Sequence, residues 1–205
     1  MIEAESNIWY KWYEHHGLKS ILFNITVGFG LLFSNPVSAQ VEATIMGNTL
    51  YLTGDVGEDM VFAIRNNDMR GVTSIAITSH GGSIGYGIAL SNFVGRVNLA
   101  VIVTEYCESA CTLILAGARK RIGSKNARFL IHGAADGKTA SADGKEASVS
   151  DSVKMSNDMM KAVYILQGVD RTFVDWAVQT PRAGHERYLS SSEAMNIGLL
   201  TTLSN

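Results

Sequence analysis

Cysteine and proline are scarce: two of each in 205 residues. Two cysteines cannot build a disulfide scaffold or a four-cysteine zinc site. Two prolines and 18% charged residues are not the composition of a disordered chain. An excess of one charge is missing too. Lys and Arg number 17 against 19 Asp and Glu, for a net charge of −2, so no basic footprint invites nucleic acid. No stretch reaches the ~18 consecutive apolar residues of a confident membrane span. What is present is a chain that is 46% hydrophobic, with the length and apolar content of one domain with a real core.

The front end reads as an export signal. Residues 21–33 (ILFNITVGFGLLF) form a mostly apolar run behind Lys19, followed by Ser34-Asn35-Pro36-Val37-Ser38-Ala39. Val37 and Ala39 fit the small-residue site at which signal peptidase cuts, leaving Gln40 as the new N-terminus. Asn24, Thr26, Gly28 and Gly30 interrupt the run, which makes a poor permanent span. The leading stretch departs from a short basic start, with Glu3, Glu5 and Glu14 among Trp9, Tyr10, Trp12 and Tyr13. An uncleaved anchor is therefore the alternative. The expectation is a signal peptide or anchor over 1–39 and a domain over 40–205. That domain would be periplasmic or secreted, or held at the membrane through residues 21–33.

From there, strand-like and helix-like patterns alternate. Thr49–Thr53 reads as a strand, Glu58–Asn66 as a helix, Thr73–Thr78 as a β-branched strand and Ile84–Val94 as a helix. Leu99–Thr104 (LAVIVT) is nearly uniform in apolar character, as in a strand buried on both faces. A turn over Glu105–Glu108 leads to a helix over Ser109–Ala118, and Arg128–Ile131 is the next strand. A long polar loop follows, Gly133–Ser148, then helices over Val149–Gln167 and Arg171–Val178 and a closing segment, Leu189–Leu200. This alternation predicts an α/β domain with a largely parallel sheet.

In such sheets ligands sit at the carboxyl ends of strands, and three ends here carry permissive or reactive groups. Ser79-His80-Gly81-Gly82-Ser83 lets the backbone turn sharply and leaves an N–H pointing outward. Cys107-Glu108-Ser109-Ala110-Cys111 opens a helix with a serine, where free N–H groups and the helix dipole favour an oxyanion. His132 ends its strand beside the same face. Serine, histidine and paired N–H groups are the parts of an acyl-transfer site.

The ordered set resembles the proteolytic subunits of Clp protease, in the crotonase-like superfamily. It comprises SHGGS, a serine opening an apolar helix that ends LAGA, a strand ending Ile131-His132, and Arg187-Tyr188-Leu189-Ser190-x-x-Glu193-Ala194-x-x-x-Gly198-Leu199. The resemblance spans about residues 45–203 and implies an α/β fold of the Clp protease/crotonase ββα superhelix type. Carried over by position, it implies Ser109 as nucleophile, His132 as general base, and the N–H groups of Gly81 and Ala110 as oxyanion donors. Glu186 matches the acid, usually Asp in the family, which would hold the imidazole tautomer. His80 stands where the family has proline, and the CESAC turn looks more like exported Clp-like proteins of bacteria.

The resemblance implies a serine peptidase acting on peptides or unfolded protein, without cofactor or metal, and a homo-oligomer. Export would leave it without ATP.

Other readings compete. Ser109 is also a good N-cap, and Glu186 a solvated acid. A domain that keeps the fold without turnover would be a binding or assembly module. Gly81-Gly82-Ser83-Ile84-Gly85 satisfies the G-x-S-x-G elbow of α/β-hydrolases, with Asp136, Asp143 or Asp170 and His185 completing a triad. Signal peptide peptidase A, of the same superfamily, pairs its serine with a lysine, which makes Lys154 and Lys161 candidates. Cys107 and Cys111 are either a disulfide bracing the Ser109 turn or two small buried residues.

Overall fold

The structure is a computed structural model, and it describes residues 40–134, 150–179 and 186–204. The expected export segment 1–39, Asp136, Asp143 and His185 lie outside the described residues. Among the described residues, no helix is long and apolar enough to cross a membrane.

The chain opens with a hairpin, β1 (Glu42–Met46) and β2 (Thr49–Thr53), then α1 (Glu58–Arg65), β3 (Ser74–Thr78), α2 (Ile84–Arg96) and β4 (Ala100–Val103). It continues with β5 (Tyr106–Glu108), α3 (Ala110–Gly117), β6 (Arg121–Ser124), β7 (Arg128–Leu130) and α4 (Asp151–Leu166). The last elements are α5 (Arg171–Ala177), β8 (Tyr188–Ser190), α6 (Ser191–Asn196) and β9 (Thr202–Ser204). The main sheet has the order β1-β2-β3-β4-β6-β9, and a smaller sheet has the order β5-β7-β8. Every pairing in the main sheet is parallel except β1–β2. The expected α/β architecture with a largely parallel sheet is present.

Two local expectations change. Residues 105–108, read as a turn, hold the strand β5, which pairs with β7 from Tyr106↔Arg128 to Glu108↔Leu130. Three residues are too few to show a period of two, so nothing along the chain marks them as a strand. LAVIVT is also less enclosed than its composition suggests: Val101 and Val103 are fully buried, whereas Ala100 and Ile102 are only partly so.

α3 is the centre of the molecule, with all eight of its residues buried. It accommodates a close neighbour because α2 presents Gly87, Ser91 and Gly95 at a spacing of four, one face of a helix. A Cβ on Gly87 would reach the Ala110 carbonyl at 2.9 Å, and one on Gly95 the Gly117 carbonyl at 2.9 Å. Backbone approach at this distance fixes where α3 begins, and so where Ser109 sits.

The Arg187–Leu199 signature is also local architecture. Ser190 caps α6 by accepting from the Glu193 N–H at 3.3 Å, while Glu193 Oε2 accepts from the Ser190 N–H at 2.9 Å. This is a reciprocal capping box. The bonds from Ser190 hold the Glu193 carboxyl below its ordinary range.

Candidate active site

β3 and β5 end side by side, joined by a parallel bridge between Ser79 and Cys107. The Glu108 N–H donates to the Ser79 carbonyl at 3.0 Å. Each strand then turns into a helix, β3 through Gly81–Ser83 into α2, and β5 through Ser109 into α3.

The two turns differ in kind. Ser109 has φ 53° and ψ −126°, a region that costs a non-glycine residue roughly 1–3 kcal/mol and persists only where its surroundings impose it. A strained strand-to-helix turn is also what a nucleophile elbow requires. Ser83 has φ −71° and ψ 123°, ordinary extended backbone. The G-x-S-x-G pattern at Ser83 is thus an unstrained helix start, and the strained turn is the one at Ser109.

Three contacts hold that elbow. The Ser109 N–H donates to the Leu130 carbonyl at 2.8 Å, tying it to the end of β7 two residues before His132. Cys107 and Cys111 form a disulfide across it, with Cα atoms 5.3 Å apart and neither residue exposed. Gly81 lies against it: a Cβ there would come within 2.6 Å of Ser109 Cβ and 2.7 Å of the Glu108 carbonyl.

The disulfide choice left open by the sequence is thus answered by position. Cys107 sits on a strand rather than in the helix, which brings the Cα atoms well inside disulfide range. A loop this short gives about 2 kcal/mol from the chain-entropy relation. Replacing both cysteines by alanine is expected to lower the urea-derived unfolding free energy by about that much. Because both sulfurs are buried, reductant added to the folded protein should liberate no thiol, whereas two should titrate once the chain is unfolded.

His132 is buried, and its Nδ1 lies 2.8 Å from the Gly133 carbonyl. A carbonyl only accepts, so Nδ1 carries the proton and donates, and the neutral ring has its lone pair on Nε2, as a base requires. No hydrogen bond joins Ser109 Oγ to His132 among those the described residues make; such contacts tighten when substrate binds. β8 lies antiparallel to β7, with Leu130 opposite Tyr188. That pairing ends two residues short of both His132 and Glu186. Glu186 is exposed.

Gly81 lies beside Ser109, and its N–H, expected as an oxyanion donor, donates instead to Ser79 Oγ at 3.0 Å. The positive φ of 101° that fits this glycine beside Ser109 also turns its N–H back to the preceding strand. Ala110 is the first residue of α3, where an amide has no intrahelical partner. No acceptor for it, or for the Gly82 N–H, occurs among the described residues' hydrogen bonds.

Both candidate lysines are engaged by carboxylates. Lys154 is 61% exposed and pairs with Asp151 at 3.2 Å, and Lys161 pairs with Asp175 at 3.4 Å.

Two features leave little signal along the chain. His80 Nδ1 lies 2.9 Å from Glu108 Oε2, and its ring stacks on Tyr106 at 4.2 Å between centroids. Glu108 is nearly buried while His80 is mostly exposed. The Ser79–Cys107 bridge makes the two cross-strand neighbours, a relation invisible along the chain. The other is Thr112, the one hydroxyl residue within α3, whose only sequence signal was polarity inside an apolar helix.

A family model described as Clp protease matches residues 41–204. Among solved structures, the chain is similar to a mutant ClpP1 from Listeria monocytogenes, with a TM-score of 0.58 and 16% sequence identity. The match covers 78% of this chain and 92% of that one. Among curated proteins no relative matches.

Proposed function

The chain belongs to the Clp protease family, and from that premise we propose that it is a serine peptidase whose nucleophile is Ser109. The observation that carries this reading is the strained Ser109 backbone at the mouth of a buried helix, braced from three sides. Strain of that kind persists where the position of a side chain matters. Ser109 Oγ attacks the scissile carbonyl, His132 Nε2 takes its proton and returns it to the leaving amine, and Glu186 steadies the imidazolium. The Ala110 N–H, at the positive end of α3, stabilises the oxyanion with the Gly82 N–H as second donor. Gly81 contributes by leaving room.

Export through residues 1–39 remains part of this proposal. It implies hydrolysis without ATP, in the periplasm or outside the cell, of short peptides or unfolded protein, by a homo-oligomer such as the family resemblance suggests.

Treatment with a fluorophosphonate probe tests the chemistry directly. Trypsin releases residues 97–119 as one peptide in which Ser109 is the only serine, and residues 71–96 as another containing Ser83. An adduct on the first peptide is the expected result. An adduct on the second, assigned by fragmentation to Ser83 among its four serines, would move the nucleophile there, and no adduct would leave the binding-module reading in possession.

A further inference from the structure

The Ser109 carbonyl is held by a chain of hydroxyls running to α4. Thr112 Oγ1 donates to the Ser109 carbonyl at 2.6 Å, and the Thr112 N–H donates to the same oxygen at 2.9 Å. Thr112 Oγ1 also lies 2.7 Å from the hydroxyl of Tyr164, on α4. A threonine hydroxyl has one proton, and the Ser109 carbonyl can only accept. Thr112 therefore spends its proton on Ser109, and Tyr164 must be the donor in the second bond. Tyr164 is fully buried, and burial pushes its hydroxyl above the ordinary tyrosine range, so the donated proton stays in place.

The same face of α4 reaches the other half of the site. Two turns before Tyr164, Asn157 Oδ1 accepts from the Ala134 N–H at 2.7 Å, two residues beyond His132. Residues 157 and 164 are both buried and seven apart, on one stripe of the helix. One rigid element therefore holds the backbone beside both the nucleophile and the base.

We infer that Thr112 and Tyr164 are positioning residues that act through the Ser109 carbonyl to hold the nucleophile in its strained backbone conformation. The inference rests on Ser109 being the nucleophile. Hydroxyls bonded to a helix carbonyl normally make a redundant contact. Here the carbonyl belongs to the residue at φ 53°, and the second bond fixes the peptide plane whose rotation would release that strain. A misplacement of about 1 Å can cost on the order of a hundredfold in rate.

The test compares fluorophosphonate labelling rates and melting temperatures of four variants of the full chain. Thr112→Val keeps the shape and removes the donor, and a rate about tenfold or more below wild type is expected. Thr112→Ser restores the hydroxyl and should label within about threefold of wild type. Thr112→Val also leaves the buried Tyr164 hydroxyl without an acceptor, which costs stability. Adding Tyr164→Phe removes that orphan, so the double variant should regain melting temperature while its labelling stays slow. Recovery of both together would mean a merely structural role and overturn the inference.

Labelling of Thr112→Val within twofold of wild type would overturn it too, with Ser109→Ala, which should take no adduct, showing that the nucleophile assignment still stands. If wild type takes no adduct, the nucleophile reading fails, and amide hydrogen exchange over residues 107–113 decides the restraint alone. Faster exchange in Thr112→Val supports it, and unchanged exchange overturns it.

Discussion

Ser109→Ala is expected to abolish the fluorophosphonate adduct, and His132→Ala to slow its formation by roughly a thousandfold or more, the scale of losing a triad member. The two losses should not add, because serine and base act as one unit. Ser109→Ala should not disturb the fold much. Ser109 is only partly buried and its side chain makes no hydrogen bond among the described residues. Alanine at 109 also keeps the backbone bonds to Leu130 and Thr112. His132 is buried, so its removal leaves the Gly133 carbonyl without the imidazole donor, at about 1–3 kcal/mol. Labelling rates at matched folded fraction, checked by circular dichroism, separate this stability cost from the chemical one. Wild-type labelling in His132→Ala would place the base elsewhere. The next candidate would be His80, which already has an imidazole-to-carboxylate bond to Glu108.

Gly81→Ala should be nearly as damaging for a different reason. The new methyl would meet Ser109 Cβ at 2.6 Å and the Glu108 carbonyl at 2.7 Å, on a backbone with φ +101°. Both obstacles are fixed to the chain, and the disulfide keeps the Ser109 turn from yielding. A loss of labelling of about a hundredfold or more is expected from the displaced nucleophile, with roughly 2–4 kcal/mol lost in chemical denaturation from overpacking and backbone strain.

Gly85→Ala is the matched control. It lies in α2, its nearest contact would be Ser83 Oγ at 3.8 Å, and alanine in a helix is favoured over glycine by about 0.5–1 kcal/mol. Labelling within twofold of wild type and unchanged or higher stability are expected. Equal damage from both substitutions would mean that the β3–α2 segment tolerates no change, and that Gly81 has no special relation to Ser109.

The His80–Glu108 pair shows why part of the site was hidden. Read along the chain, His80 is an exposed residue of a turn and Glu108 an acid before a serine, 28 residues apart. Nothing in either neighbourhood requires the other. The parallel register of β3 beside β5 brings them together, and β5 itself is too short to have been recognised. Thr112 and Tyr164 are the same case at a separation of 52 residues, since a tyrosine on the apolar face of a helix looks like any other core residue.

The elements legible from the chain were those with local causes. Alternating apolar patterns placed the main strands and helices, because side-chain period follows backbone geometry. The paired glycines of SHGGS and the serine opening an apolar helix were readable because each local backbone demands particular residues. Ser109 and His132 followed from the order of those motifs.

Tertiary structure alone decided which of two serine turns is strained, that Cys107 lies close enough to bond Cys111, and that the Gly81 N–H turns to Ser79 instead of the site. Only packing could decide these. Each depends on where a distant strand or helix stops, and burial and register across the sheets set that end point.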